Sequence, residues 1–257
     1  WFSNANFYQI RVLSGANGAV LATLPQLSGN PTGAVLRPAG DLNGDGRMDF
    51  ALQQADPRVR VVQSQPGVLL RTIVPTPPGD SNQTLATVDL DGDGRREIVI
   101  GRPSRTNSMG GSGQVDVFAG SDGHLLYSIV PGMGVATRLG RAVSGIGDLD
   151  LDGVADLAVS ADDPPYGAVY AFSGRSGARL WKFEPPPSMP GIGYSIADVG
   201  DADGDGFHDL AVNHGGVLRG WFVLSGRTFA DVSWLGGACG GGPFLPQLGM
   251  TRPLLGT

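Results

Sequence analysis

A nine-residue acidic segment occurs four times in this chain, and it limits the possible folds more than any other feature. Each copy has Asp at positions 1 and 5, Asp or Asn at position 3, Gly at position 6, and Asp or Glu at position 9. The copies are loop 1 (41–49), loop 2 (89–97), loop 3 (148–156) and loop 4 (201–209), which begin 48 to 59 residues apart. A segment repeated at such a period predicts a fold made of copies of one structural unit.

A second pattern repeats with the same period. Two short apolar segments flank a turn that ends in Gly18, Gly67, Gly123 or Gly177, and an apolar triplet follows each acidic loop. Each period therefore holds about four short strands, which is typical of a propeller blade. We expect an all-β fold, a β-propeller of four-stranded blades with four complete repeats plus an N-terminal half-blade at Gln9–Leu24. Such a chain could close as five blades or form part of a larger propeller.

The acidic loops have the composition of a calcium site. Calcium prefers several oxygen ligands in a flexible cage, whereas magnesium demands a smaller and stricter one. Gly at position 6 permits the positive φ of a sharp turn, so that the side chains at positions 1, 3 and 5 can turn inward. A main-chain carbonyl at position 7 and the carboxylate at position 9 would complete the set. The alternative is that these Asp- and Gly-rich segments are ordinary turns.

We expect about four calcium ions, bound by the side chains at positions 1, 3, 5 and 9. These residues are Asp41, Asn43, Asp45 and Asp49 in loop 1; Asp89, Asp91, Asp93 and Glu97 in loop 2; Asp148, Asp150, Asp152 and Asp156 in loop 3; and Asp201, Asp203, Asp205 and Asp209 in loop 4. An EF-hand is excluded because its twelfth position needs an acidic residue. The corresponding residues here are Leu52, Ile100, Val159 and Val212. Loop 3 is the least typical copy, because Leu151 stands at position 4 where the other loops have Gly.

The loops and their spacing resemble FG-GAP repeats, the blade units of integrin α-subunit propellers and of many secreted bacterial proteins. The resemblance covers roughly residues 8–234. It implies that position 7 binds calcium through its main-chain carbonyl, a role that falls to Arg47, Arg95, Val154 and Phe207. The tripeptides that name the repeat are altered: Leu139-Gly140 and Ile192-Gly193 replace Phe-Gly, and Gly101-Arg102-Pro103 is the nearest match to Gly-Ala-Pro.

The negative charge of the chain is concentrated in the loops. The net charge is −6, and 15 of the 24 acidic side chains lie in the four loops, so that the rest of the chain is net positive. Bound calcium would reverse the sign of the total charge, and an acidic pI therefore says little about partners. We expect no nucleic-acid partner. The sequence has no apolar segment long enough for a membrane span.

The sequence shows no recognisable catalytic set. Its three histidines and single cysteine have no partners at catalytic or zinc spacing, and His208 is expected to face solvent. We therefore predict that the chain is not an enzyme. The expected function is binding or adhesion to an extracellular protein or glycan, at a secreted or cell-surface location. A structural subunit that assembles with copies of itself and a polysaccharide-active enzyme are the alternatives.

The ends of the chain differ from the repeats. The chain begins at Trp1 without a Met or an export signal, so we expect a processed product or an excised piece. We expect the repeats to occupy residues 1–234. The Gly- and Pro-rich residues 235–257 lack an acidic loop, and we expect them to complete a blade or to begin another domain. One hypothesis is that the N-terminal hairpin pairs with this segment or with a neighbouring chain, since unpaired strand edges are avoided.

Overall fold

The computed structural model describes ten segments of the chain, and within them all regular structure is β-strand. These segments are 10–24, 35–53, 57–76, 84–106, 112–131, 138–161, 166–185, 191–214, 220–228 and 231–236. The described residues form four four-stranded antiparallel sheets and one two-stranded hairpin. No helix that could span a membrane occurs within these segments.

Each sheet is one blade, and its strands pair in chain order. Blade 1 contains β3 (Val35–Gly40), β4 (Asp49–Gln53), β5 (Val59–Gln63) and β6 (Leu69–Ile73); blade 2 contains β7 (Thr84–Val88), β8 (Glu97–Gly101), β9 (Val115–Phe118) and β10 (Leu125–Ile129); blade 3 contains β11 (Val143–Ile146), β12 (Asp156–Ala161), β13 (Ala168–Phe172) and β14 (Arg179–Phe183); blade 4 contains β15 (Ile192–Gly200), β16 (Asp209–His214), β17 (Gly220–Leu224) and β18 (Asp231–Gly236). The hairpin consists of β1 (Arg11–Leu13) and β2 (Val20–Thr23). Four complete repeats preceded by a half-blade are therefore confirmed.

The apolar core lies between consecutive blades. Because successive side chains of a strand point to opposite faces, Ile98 and Ile100 of β8 join the cluster shared with blade 1, while Val99 joins the cluster shared with blade 3. A third cluster lies between blades 3 and 4 and contains Ile146 and Phe222. Both faces of a central strand are covered, which explains why the apolar triplets after the loops have no polar alternation.

The first strands of the blades lie side by side. Strand β7 contacts β3 on one side and β11 on the other, and β11 also contacts β15. Each acidic loop joins the first and second strands of its blade, as loop 1 does between Gly40 and Asp49. All four loops therefore lie at the same end of these innermost strands.

The N-terminal hairpin takes the place of the outer two strands of a preceding blade. The turn of blade 1 approaches it closely, since a Cβ on Gly67 would lie 2.6 Å from the carbonyl oxygen of Thr23. The corresponding Gly123 of blade 2 packs against blade 1, where a Cβ on it would lie 3.3 Å from the Ile73 side chain. Within the described segments β1 pairs only with β2, and Leu13 is 56% exposed.

The predicted partner of that hairpin lies largely outside the described residues. Strand β18 ends at Gly236 and pairs with β17, and nothing further along the chain is described. Both the pairing of the hairpin with residues 235–257 and the boundary after residue 234 stay predictions.

Candidate functional site

The position-1 carboxylate folds each acidic loop around itself. In loop 1, Asp41 accepts the backbone N–H groups of Gly44 at 2.7 Å, Asp45 at 3.0 Å and Gly46 at 2.6 Å. Loop 4 repeats these three hydrogen bonds on Asp201 at 2.7, 3.0 and 3.0 Å. Hydrogen bonds from backbone N–H groups, above all that of Gly46, hold the pKa of Asp41 below its usual value. The carboxylate form is therefore the one that this turn favours.

Glycine at position 6 is required by the backbone conformation. Its φ is between +78° and +94° in the four loops, and a Cβ added there would meet nothing within 4 Å. The constraint is thus torsional rather than steric. At position 4 of loop 3, Leu151 adopts φ +61° and is 74% exposed, so that a non-glycine residue occupies the left-handed region.

The position-9 carboxylates are buried and tie each loop to its own blade. Asp49, Glu97, Asp156 and Asp209 are at most 1% exposed, and one oxygen of each accepts the N–H of position 2 at 2.7 to 3.0 Å. In loops 2, 3 and 4 the second oxygen accepts an N–H from the hairpin turn of the same blade. The donors are Gly120 at 3.3 Å, Gly174 at 2.9 Å and Gly226 at 3.0 Å.

Loop 1 differs at this contact. Ser64 stands where the other turns have glycine, and Oδ1 of Asp49 is buried without a hydrogen-bond partner in the described part of the chain. Burial raises the pKa of Asp49, which means that its charged form is disfavoured without a counter-ion. A bound cation would compensate the charge of this carboxylate.

These turn glycines lie directly against the loops, a contact that was not predicted from the sequence. A Cβ on Gly174 would lie 2.0 Å from the carbonyl oxygen of Ala155 at position 8 of loop 3. Gly120 and Gly226 show the same approach to Arg96 and His208, at 2.3 and 1.9 Å. For Gly120 and Gly174, the available signal was a second glycine three residues before the glycine that ends the turn.

Substituting Gly174 with Ala should destabilise the protein by about 2–3 kcal/mol, because a methyl group cannot fit against a backbone carbonyl without moving it. Gly15 provides a matched control, since it occupies the same turn position in the half-blade and a Cβ there would meet nothing within 4 Å. Denaturant unfolding of the two variants makes the comparison. Equal stabilities would show that the contact between turn and loop is not required.

The structure brings the carboxylates at positions 1, 3 and 9 together in three loops. One oxygen of each lies within 4.8 Å of the others in the groups Asp89, Asp91 and Glu97; Asp148, Asp150 and Asp156; and Asp201, Asp203 and Asp209. In loop 1 the third position is Asn43, whose Oδ1 accepts the N–H of Asp45 at 3.0 Å. Carboxylate oxygens at such separations repel one another. A set of ligands that are all oxygens fits a hard cation such as calcium. The arrangement thus fits a divalent cation in each of the three loops.

Positions 5 and 7 lie at the other side of each loop. The position-5 carboxylate accepts the N–H of position 7 in all four loops, at 2.7 to 3.1 Å. The side chains at position 7 differ in burial: Arg47 and Arg95 are exposed, whereas Val154 is 6% exposed. The predicted ligand role of the position-7 carbonyls, and the complete ligand set, stay predictions.

Loop 2 should release a proton when it binds calcium at neutral pH. Burial raises the pKa of Glu97 to about 7, from an ordinary 4.5. Because calcium binds the carboxylate form, about half a proton should leave Glu97 for each ion bound at pH 7, and almost none at pH 9. Calorimetric titrations in buffers of different ionisation enthalpy measure this release. The Glu97→Gln variant should lack it, and binding heats independent of the buffer would contradict the prediction.

The same shift gives the metal-free protein a pH dependence of stability. The folded-state pKa of Glu97 lies above its unfolded value, so the folded state binds this proton more tightly. The contribution of Glu97 is therefore fully present below about pH 4.5 and is lost as the pH rises towards 7. Bound calcium would prevent this loss of stability, because its charge would compensate the ionised carboxylate.

A groove lies beside the acidic loops, at the end of the first strands that carries them. It has a volume of about 580 Å³ and is lined by residues from the first strand of every blade. Its apolar lining includes Val88, Ile146 and Ile196, and its polar lining includes Arg37, Arg96, Asp198 and His208. The position-8 side chains of loops 2, 3 and 4 all line this groove, so the loops bring variable side chains to a common place.

His208 does not simply face solvent. Its Nδ1 lies 3.0 and 3.1 Å from the two carboxylate oxygens of Asp198 on β15, and its ring packs on Gly147, which follows β11. The side chain remains 49% exposed in the groove. No sequence signal linked the pair, because Asp198 lies outside the acidic loops.

Two solved structures share the fold of this chain. A rhamnogalacturonan lyase PL11 of Bacillus licheniformis superposes with a TM-score of 0.51 at 20% identity, covering 82% of this chain and 48% of that one. The exotype rhamnogalacturonan lyase YesX gives a TM-score of 0.53 at 17% identity, covering 85% of this chain and 43% of that one. The prediction that the chain is not an enzyme is wrong, because both neighbours are enzymes and a missing sequence motif does not exclude catalysis on this fold.

The sequence relatives point to integrin α-subunits. The chain is 31% identical to integrin alpha-V of Gallus gallus over 156 residues and 32% identical to integrin alpha-IIb of Homo sapiens over 149 residues. These matches cover 52% and 50% of this chain but only 15% and 14% of those proteins. The model of the FG-GAP-like repeat matches residues 41–100 and 148–212, which contain all four acidic loops. The chain therefore carries FG-GAP-like repeats and is similar over about half of its length to integrin α-subunits.

Proposed function

We propose that the chain is a calcium-stabilised, extracellular propeller module that binds a protein or carbohydrate ligand in the groove beside its loops. The loops are proposed to hold calcium through the residues predicted from the sequence. Calcium, when bound, supplies the positive charge that their clustered carboxylates lack. Since each loop joins the first two strands of its blade, this charge would fix the rim of the groove.

The groove is the observation that carries the proposal. About 580 Å³ is within the range of small-ligand sites, which combine an apolar lining with a few convergent polar groups. Ile146 is 1% exposed and Ile196 8% exposed, whereas the arginines, His208 and Asp198 extend from the rim. Such a surface presents mainly its polar rim to a ligand and can hydrogen-bond the polar groups of that ligand.

Two arginines on one side of the groove are already held in place. Arg37 Nε donates to the carbonyl of Leu85 at 3.1 Å, and Arg96 Nη1 donates to the carbonyl of Thr87 at 3.5 Å. Leu85 and Thr87 are two residues apart on β7, so their carbonyls point the same way. A guanidinium has five N–H donors, and most of them remain available here for carboxylate, hydroxyl or carbonyl oxygens of a ligand.

Binding can be tested with arrays of glycans and extracellular proteins probed in calcium. Arg96→Ala should weaken binding to any ligand found by about tenfold or more, the cost of losing a charge-assisted hydrogen bond. Arg95→Ala is the matched control, because Arg95 precedes it in loop 2 and does not line the groove. Equal loss in both variants, or no ligand on either array, would contradict the proposal.

A polysaccharide-active enzyme is the second candidate. The observation that favours it is the pair of His208 and Asp198, since a carboxylate that orients an exposed imidazole is a common general-base arrangement. The two structural neighbours are rhamnogalacturonan lyases. Release of unsaturated products from rhamnogalacturonan, abolished by His208→Ala, would support this candidate. Ligand binding without turnover would favour the first.

A further inference from the structure

The position-5 carboxylate of each loop has one oxygen left for a metal ion. Its Oδ1 accepts the N–H of position 7 in every loop, as Asp152 Oδ1 does from Val154 at 3.1 Å. In loops 1, 3 and 4 its Oδ2 is contacted by a residue at the hairpin turn of the same blade, and that residue differs between the blades. The four loops therefore share a ligand pattern but not the environment of this oxygen.

Two turns present a neutral polar side chain to Oδ2. In blade 1 the amide of Gln63 donates to Asp45, and in blade 4 the hydroxyl of Ser225 lies 3.4 Å from Asp205. Both side chains also carry an oxygen that can turn towards a cation. In blade 2 the corresponding residue is Ala119, which has no polar side-chain atom.

Loop 3 meets a cation instead. Arg175 Nε donates to Asp152 Oδ2 at 3.0 Å, and its Nη2 donates to the main-chain carbonyl of Asp152 at 3.1 Å. A guanidinium stays charged and has no acceptor atom, so it cannot rearrange into a metal ligand. It occupies the oxygen that a metal ion in this loop would need, and it would repel that ion.

The same turn position in blade 4 shows that this contact is not imposed by the turn. Arg227 lies two residues after Ser225, as Arg175 lies two residues after Ser173. Its guanidinium carbon is 5.9 Å from the centre of the Phe207 ring, on which a cation is stabilised. Position 7 of loop 3 is the aliphatic Val154, which offers no such alternative.

We propose that Arg175 competes with calcium for Asp152, so that loop 3 binds calcium more weakly than loops 2 and 4, which also have four acidic positions. This inference rests on the proposed calcium function of the loops. The side chains of Arg175 and Asp152 are 57% and 26% exposed, and exposed ion pairs are weak because solvent screens them. Removing the guanidinium should therefore tighten calcium binding at loop 3 by about three- to fivefold.

Amide NMR of the whole chain can follow each loop separately during a calcium titration. The N–H of Gly153 donates to the position-1 carboxylate of loop 3 at 2.8 Å, and Gly46, Gly94 and Gly206 do so in the other loops. In the unsubstituted chain the Gly153 signal should reach its midpoint at a higher calcium concentration than the Gly94 and Gly206 signals. Arg175→Gln, which introduces the residue type found beside loop 1, should lower that midpoint three- to fivefold and leave the other three unchanged.

Arg227→Gln is the matched control, since it removes the same charge from the same turn position and should leave the Gly206 midpoint within about twofold. A Gly153 midpoint that rises in Arg175→Gln would overturn the proposal, because Arg175 would then orient Asp152 for the ion rather than compete with it. If none of the four glycines responds to calcium, the calcium function itself fails. If the glycines respond but Arg175→Gln has no effect on Gly153, only the competition fails.

Discussion

Chelation of calcium should lower the melting temperature of this protein more than any single side-chain substitution. Three carboxylates with oxygens within 4.8 Å of one another in each of three loops repel each other without a cation. An ion that binds only the folded state stabilises it by about 2.7 kcal/mol per site at a hundredfold excess over its Kd. For a chain of this size that corresponds to about 5–10 °C for each occupied loop.

Thermal unfolding followed by circular dichroism measures this effect. Excess calcium should restore the melting temperature of the stripped protein, and magnesium should restore it less, because the smaller ion demands stricter geometry. An unchanged melting curve after verified metal removal would show that the loops are ordinary turns.

The second large effect should come from Arg102, which is fully buried at the end of β8. Its Nη1 lies 2.9 Å from Asp116 Oδ2 and 3.0 Å from the carbonyl of Thr76, and Asp116 also accepts the hydroxyl of Ser128 at 2.6 Å. Arg102→Met should destabilise the protein by about 3–5 kcal/mol, since it leaves a buried carboxylate without its counter-charge.

A double variant separates the charge from the packing. Arg102→Met combined with Asp116→Leu removes both charges, and it should regain most of the lost stability, because a buried ion pair can be replaced by apolar side chains at little cost. Denaturant unfolding measures all three proteins. If the double variant is as unstable as Arg102→Met, the effect comes from packing rather than from the unpaired Asp116.

The blades and the loops could be predicted because their determinants are local in sequence. Gly46 and its equivalents fix a turn through their own φ, and the acidic residues that they bring together lie within nine positions. The apolar triplets then place strands such as β8 immediately after each loop. Repetition supplied the rest, since four copies at one period indicate stacked units.

Two of the features that escaped prediction join an acidic loop to residues outside it. His208 of loop 4 meets Asp198, ten residues earlier on β15, and Arg175 reaches Asp152 from a turn 23 residues later. Arg102, noted in the sequence only as a departure from Gly-Ala-Pro, is explained by Asp116 on the neighbouring strand. Sequence periodicity contains no information on such contacts, because each occurs in one blade only.

Native mass spectrometry counts the bound metal ions and thereby tests the central claim most directly. The chain, stripped with chelator and returned to calcium, should bind four calcium ions, and Asp152→Ala should bind three. A folded chain that binds no calcium beyond non-specific adducts would contradict the account. Loss of all four ions in the Asp152→Ala variant would contradict the independence of the loops.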